Sequence, residues 1–549
     1  MDTSSGPQTN GAVSNKSNIV LVFAGLMLTM LLASLDQTIF STALPTIVGD
    51  LHAADQMGWV ITIYLLTSTI VLPVYGKLGD LIGRKAIFIT AISIFVVGSI
   101  IGGFAPDMTW LIIGRGVQGL GGGGLMILSQ AIIADVVPAR ERGRYMGIMG
   151  AVFAVSSVAG PLLGGWFTDA VSWRWCLWIN IPLGILAIIA AVAFLHLPKR
   201  PVASVKLDVY GIGLLALAST GLILVSTWGG TTYDWDSPLI ILLIAGTVIA
   251  AVVFVLVERR TAEPIMPLLL FRRRNFNLST GAGLLIGVAM FGTIAYTPTY
   301  LQMVTGANAT QAGLLMVPMM AALLVSSVAS GQIVSRTGRY KWAPISGTLT
   351  TAVGLFLLST MSPTTPVWVT CVYLAVMGLG LGLCMQNLIL VVQNTFPNAM
   401  VGTATATNNY FRQIGSSLGA AIVGTVFTSR LADLLTQRLP AGGSEAAGSS
   451  NEFTPDSVKH LPAAIRDIIV GSYSDALTPI FLALVPLMLA ATILVIFIRE
   501  VPLSTTIDRA DIIADSLEID GSNAVALTTA ELAIISQEQL RAASGRSGA

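Results

Sequence analysis

The sequence predicts an all-α polytopic membrane protein with fourteen transmembrane helices, arranged as two six-helix halves plus two inserted helices. Three observations predict it. Of 549 residues, 54% are hydrophobic and only 10% are charged, where soluble domains carry about 25% charged residues; the mean hydropathy is +0.79. Uncharged runs long enough to cross a bilayer core, about 20 residues at 1.5 Å rise, recur along the whole chain. Two motifs of the first part return about 255 residues later in the second.

The elements follow in order. Residues 1–18 are polar, and the apolar run after them is longer than the roughly 7–15 residues of a signal-peptide core, so it reads as a retained helix 1 over 19–46. Helices 2 to 6, at 57–75, 86–105, 109–134, 145–168 and 175–196, complete an N-terminal half over 19–200. Helices 7 and 8, at 209–228 and 238–257, occupy an insertion over 201–262. Helices 9 to 14, at 276–299, 310–334, 343–361, 366–393, 403–429 and 477–498, form the second half over 263–500. The long connection 430–476 holds a flexible "LPAGGSEAAGSSNEFTP" followed by the amphipathic "AIRDIIVGSYSDAL". The tail 501–549 is polar and mildly acidic, expected to be poorly ordered or briefly helical.

Orientation comes from the loops. Connections after even-numbered helices, such as "GKLGDLIGRK", "PARERGR" and "SRTGRYK", hold about 17 Lys and Arg, and the short connections after odd-numbered helices hold about one, Arg174. The even connections and both termini are therefore expected in the cytoplasm, the 430–476 loop outside, and the chain in the cell (plasma) membrane. A net charge of +1 argues against a nucleic-acid partner. Cys176, Cys371 and Cys384 all fall in apolar runs, with no CxxC spacing, so neither a disulfide framework nor a metal site is expected. No cofactor is expected either: "GLGGGG" at 119–124 matches a dinucleotide motif literally but lies inside an apolar span with no strand before it. A GxxxxGK[ST] phosphate loop is absent, so any work must be driven by a gradient.

The repeat sets Gly76 on Gly331, Gly83 on Gly338 and Arg84 on Arg339, and the same shift sets Gly160 on Gly415 and Gly164 on Gly419. Equivalent loops on one side of the membrane imply parallel halves related by an axis along the membrane normal, with a ligand site between them near the midplane and access alternating as one half rocks on the other.

Asp36 is the one carboxylate of the fourteen spans placed well away from the ends. A charge there costs at least about 2.5–3.5 kcal/mol, which makes it a functional residue by default. Burial disfavours its charged form and a nearby cation favours it, so a carboxylate balanced between the two can take up and release a proton. Arg115 on helix 4 lies at similar depth and is the expected partner; a fixed structural ion pair is the competing reading. The repeat positions of this pair, Phe291 and Thr370, are uncharged, so a symmetric scaffold has not called for it twice. Arg412 on helix 13, matched by Ser157, either binds substrate or snorkels to the cytosol.

In the loop 76–85, Asp80 can rest on a helix N-terminus and pair with Arg142 or Arg144 beyond helix 4, while Gly76, Gly79 and Gly83 allow a tight turn and close helix approach. The same charges also set topology. Gly160, Pro161, Gly164 and Gly165 on helix 5 read as a packing and bending device. Methionines 303, 316, 319 and 320, with Trp59, Tyr64, Tyr296 and Tyr300, are candidates for an adaptable apolar cavity.

These residues together resemble the major facilitator superfamily. "GKLGDLIGRK" is similar to its loop signature between helices 2 and 3, "LIIGRGVQGLGGGG" (111–124) to its helix-4 motif, and "SSVAGPLLGG" (156–165) to its antiporter motif, with Ser156 where Gly is usual. "LDQTIFSTALPTI" (35–47) and "WRWCLWINIPLG" (173–184) resemble motifs of its fourteen-helix drug:proton antiporter branch, that of multidrug efflux transporters. The resemblance implies that Asp80, Arg84 and the N-terminal end of helix 13 form a cytosolic gate stabilising an outward-open state. Ser335 stands where the first copy has Asp80, which implies stronger gating chemistry in the first half.

The function expected is proton-coupled efflux (antiport) of lipophilic or amphiphilic drugs and toxic compounds by alternating access. Its partners are a small-molecule lipophilic substrate, protons and the lipid bilayer, the chain is a monomer, and antibiotic resistance is a consequence. A dedicated exporter of one lipid, siderophore or antibiotic is the alternative, and a non-transporting receptor or scaffold a third reading. No enzymatic activity is expected.

Overall fold

The computed structural model describes residues 16–53, 56–195, 197, 207–230, 232–438, 458 and 461–505. The expected 1–18 terminus, the stretch "LPAGGSEAAGSSNEFTP" of 430–476 and the 501–549 tail lie largely outside the described residues. Among the described residues, fourteen helices are long and apolar enough to cross a membrane. They are α1 (Lys16–Asp50), α2 (Met57–Ile82), α3 (Arg84–Gly103), α4 (Met108–Val136), α5 (Ala139–Ala170), α6 (Trp175–Phe194) and α7 (Val209–Trp228). Then come α8 (Pro238–Glu258), α9 (Arg274–Val304), α10 (Thr310–Thr337), α11 (Trp342–Ser359), α12 (Val367–Gln393), α13 (Val401–Arg438) and α14 (Ala463–Ile496). Among the described residues there is no β-strand; an isolated bridge joins Gly229 and Tyr233.

Three helices are interrupted where the sequence carries proline in or beside a first turn, the place a missing N–H is tolerated. α6 breaks between Trp178 and Asn180, α9 at Ala295 and Tyr296 before Pro298, and α10 at Met316 before Pro318. The first of these matters for the site, because it turns Asn180 into the protein interior.

The last connection differs from expectation. α13 runs on to Arg438 and α14 begins at Ala463, so the amphipathic stretch is not a separate loop segment but the first turns of α14. Its apolar face explains this: Ile469 and Tyr473 are buried in the same cluster as Leu431 and Leu435 of α13, and Arg438 pairs with Asp475 at 2.7 Å.

The buried residues of α1–α6 and α9–α14 fall mainly into separate clusters. The α7–α8 hairpin packs on the outside, fixed to α13 by a 2.8 Å hydrogen bond between Ser219 and Tyr410. The two motif copies meet equivalent surroundings. Gly83 and Gly338 both have positive φ, 109° and 73°, which glycine adopts at no steric cost, although only Gly338 is a left-handed turn. Gly76 of α2 lies against Gly402 and Ala406 of α13, and Gly331 of α10 lies against Gly143 and Gly147 of α5. Under the 255-residue shift of the sequence these two crossings exchange, α2 with α10 and α5 with α13. Both join one half to the other at the end that carries the basic loops.

Candidate functional site

The first site is a closed polar network on Asp36, which is buried. Arg115 of α4 donates to Asp36 Oδ2 at 2.7 Å, while Gln118, less than a turn further along α4, and Asn180, at the break in α6, donate to Oδ1, each at 2.7 Å. Ser99 of α3 accepts from Gln118 at 2.8 Å and from Asn180 at 3.3 Å. The Arg115 guanidinium lies over the rings of Phe40 and Tyr64, 4.3 Å from each centroid, an arrangement that suits the planar, weakly hydrated arginine better than lysine. Helix spacing creates the pocket: the backbone N–H and Cα of Gln118 sit where a side chain at Gly98 would go, so α3 and α4 approach closely enough for Ser99 to reach the amide.

α5 steadies the helix that carries Asp36. Gly160 meets Thr38, a Cβ at Gly164 would lie 2.7 Å from Ile39 O, and Thr38 Oγ1 donates to Ser156 O at 2.9 Å. Gly165 does not belong to this contact; nothing lies within 4 Å of its Cβ direction.

The second site is the loop at the basic end. Asp80 pairs with Arg84 at 2.7 Å and accepts from the first turn of α13: Gly402 N at 3.2 Å, Thr403 N at 2.7 Å and Thr403 Oγ1 at 2.9 Å. The carboxylate thus sits on the positive end of a helix of the other half. Arg84, also buried, pairs with Asp135 at 2.9 Å and donates to Ala131 O at 2.5 Å and Asn398 O at 2.9 Å. This corrects the expected pairing of Asp80 with Arg142 or Arg144. Arg142 instead donates to Ala134 O at 2.7 Å, Val137 O at 3.1 Å and Asn398 Oδ1 at 3.2 Å, closing the C-terminal carbonyls of α4; the Arg144 backbone N–H bonds Ser335 Oγ at 3.0 Å. The second motif copy therefore makes a hydroxyl contact where the first makes an ion network. Lys77 pairs with Glu263 at 2.6 Å, tying the loop to the α8–α9 connection.

Between the halves lies a cavity of about 150 Å³. It is lined by α1, α2, α4, α5, α9, α10, α12 and α13, with Met30, Met126, Met149, Met290 and Met385 forming much of its apolar wall. Tyr64 and Arg412 line it. Trp59, Tyr296 and Tyr300 do not. Trp59 packs edge-on against Trp228, Tyr296 against Phe427, and Tyr300 is buried with its hydroxyl 3.4 Å from Ser362 O. Met303, Met316, Met319 and Met320 belong to the second half's own packing. Sequence alone could not separate wall from core here, since both are apolar at helical spacing.

Residues missed at the sequence level are Gln118, Asn180, Ser99 and Asp135. Gln118 and Asn180 stood inside quoted motifs, and their signal was available: an uncharged amide in an apolar span needs a partner as much as a charge does.

A bundle of two related six-helix halves around a central cavity, with a buried ion pair beside it, is the construction of a membrane transporter. The chain belongs to the Major Facilitator Superfamily, whose family model matches residues 26–208 and 209–420. An MFS-type transporter of Mycobacterium tuberculosis (strain ATCC 25618 / H37Rv) is 40% identical over 499 residues, covering 91% of this chain and 72% of the relative. The multidrug transporter protein MdtP of Bacillus subtilis (strain 168) is 35% identical over 513 residues, 89% of this chain and 94% of that one. Among solved structures, the proton:xylose symporter XylE bound to 6-bromo-6-deoxy-D-glucose matches with a TM-score of 0.56 at 16% identity, covering 88% of this chain and 97% of that chain; this likeness is one of fold. The protein is a transporter and not an enzyme.

Proposed function

We propose that the protein exports lipophilic or amphiphilic compounds across the cell membrane in exchange for protons, acting as a monomer with both termini in the cytoplasm. The observation that carries this reading is the Asp36 network: a buried carboxylate held by one cation and two amides, beside a cavity lined by its chain neighbours Ser34 and Gln37. Protonation of Asp36 removes the charge that holds Arg115, and the freed guanidinium, still stacked on Phe40 and Tyr64, must find other acceptors. Tyr64 is shared by the network and the cavity wall, so occupation of the cavity and protonation of Asp36 act on the same ring.

The Asp80, Arg84 and Asp135 cluster is the cytosolic gate in this reading. It stabilises the state closed to the cytosol, and its rupture accompanies opening to that side. One charge moving down 100 mV releases about 2.3 kcal/mol, and a tenfold concentration ratio costs about 1.4 kcal/mol. A single proton therefore sustains somewhat under a 100-fold gradient of a neutral substrate before any pH difference is added. The efflux reading is supported by the relative named a multidrug transporter. It is tested in proteoliposomes by uptake of one cationic and one anionic lipophilic dye under an imposed pH gradient, wild type beside Asp36→Asn. Gradient-driven uptake of at least one dye, lost in Asp36→Asn with counterflow exchange kept, supports it; equal uptake in both proteins contradicts it.

A further inference from the structure

Arg412 is half-buried in the cavity wall, about 17 Å along α13 from Val401 at 1.5 Å per residue, near the middle of a bilayer core about 30 Å thick. Its Nη2 donates to Asn409 Oδ1, and Asn409 Nδ2 in turn donates to Gln130 Oε1 of α4 at 3.1 Å. Among the described residues no carboxylate forms an ion pair with it. Among the described residues no Asp or Glu lines the cavity, and Asp36 is turned away into its own network. Among those residues the cavity therefore presents one cation and no anion. A guanidinium carries five N–H donors in a planar fork, and the Asn409 bond accounts for one while fixing the orientation of the rest. The same cavity is lined by Gln386, whose Oε1 is buried without a partner, and by Gln413, the next residue of α13. A mid-membrane cation without a counter-ion is costly unless something supplies one.

Resting on the efflux reading and naming its substrate class, we infer that the cavity selects amphiphiles with a single anionic head group, a carboxylate or sulfonate, which docks on the Arg412 fork while the apolar body lies against the methionine-rich wall. Bidentate recognition, two N–H donors against two oxygens of a carboxylate or sulfonate, is the geometry arginine offers and lysine does not. Methionine, unbranched and polarizable, accommodates bodies of different shape. Specificity then resides in the head group and tolerance in the body. A bare lipophilic cation meets like charge at the same position and is disfavoured.

The test compares two probes with the same body, 1-pyrenebutyrate and 4-(1-pyrenyl)butyltrimethylammonium, titrated into the purified full chain. Wild type binds the carboxylate about tenfold or more tighter than the ammonium, as expected of one charge-assisted pair. Arg412→Gln abolishes this preference, Arg412→Lys keeps a weakened one, and Gln413→Glu, which adds a carboxylate to the same cavity wall and leaves Arg412 in place, lowers it. Equal affinity for the two probes in wild type, or a preference that survives Arg412→Gln, overturns the inference. Gradient-driven uptake of the ammonium probe without any carboxylate preference overturns it while leaving efflux standing. Arg412-dependent carboxylate binding with no gradient-driven uptake of either probe supports the anion site and removes the efflux reading instead.

Discussion

Arg115 and Asp36 meet at 2.7 Å with both side chains withdrawn from solvent, and neither has a charged counterpart 255 residues further on. Removing one member of such a pair leaves an uncompensated buried charge and costs about 3–5 kcal/mol, whereas removing both costs much less. Asp36→Asn and Asp36→Ala are therefore both expected to lower the melting temperature of the purified protein, alanine the more because it also leaves the Gln118 and Asn180 amides without their acceptor. The double variant Asp36→Asn/Arg115→Gln is expected to recover most of the stability while remaining unable to couple transport to a pH gradient. Thermal unfolding followed by tryptophan fluorescence checks the first part and proteoliposome uptake the second.

The cytosolic gate proposed around Asp80 makes a separate prediction. Asp80→Asn weakens both the Arg84 ion pair and the charge on the α13 N-terminus, and a loss of about 1.4 kcal/mol or more shifts the closed and open populations tenfold. Spin labels on the basic ends of α2 and α13 are expected to show a longer distance component in Asp80→Asn that is minor in wild type. An unchanged distance distribution would mean that the loop sets topology and does not gate.

Two glycines separate close approach from mere smallness. A Cβ at Gly76 would lie 2.7 Å from Gly402 O and still nearer Ala406, so Gly76→Val must push α2 off α13. Overpacking of this kind costs about 1–3 kcal/mol, and uptake is expected to fall about tenfold or more with the protein still inserted. Gly165, with nothing within 4 Å, is expected to accept alanine with unchanged transport and a slight gain in stability, up to about 1 kcal/mol of helix propensity.

Much of this architecture was legible in the sequence because a bilayer makes hydrophobicity and charge position unusually strict. The fourteen spans follow from run length, and the placement of Asp36, Arg115, Asp80 and Arg84 follows from the rarity of charge inside them. What escaped was of two kinds. Partner choice at the gate depended on the turn at Gly83, whose φ of 109° brings Arg84, rather than Arg142, back onto Asp80. The cavity wall depended on which face of each helix turns inward, and Tyr300 or Met319 cannot be told from Tyr64 or Met385 by composition. The extension of α14 back to Ala463 was hidden because its first turns are amphipathic and read as a loop, although their apolar face is what binds them to α13.

If Asp36 carries the transported proton, substrate binding displaces it, and proton release by the purified protein can be read with a pH-indicator dye in weakly buffered detergent solution as a transported lipophilic probe is added. Wild type is expected to release protons, saturating with the probe, and Asp36→Asn to release none while still binding the probe. Equal release by both proteins, or none from wild type while it binds and is driven by a pH gradient, would contradict this role of Asp36.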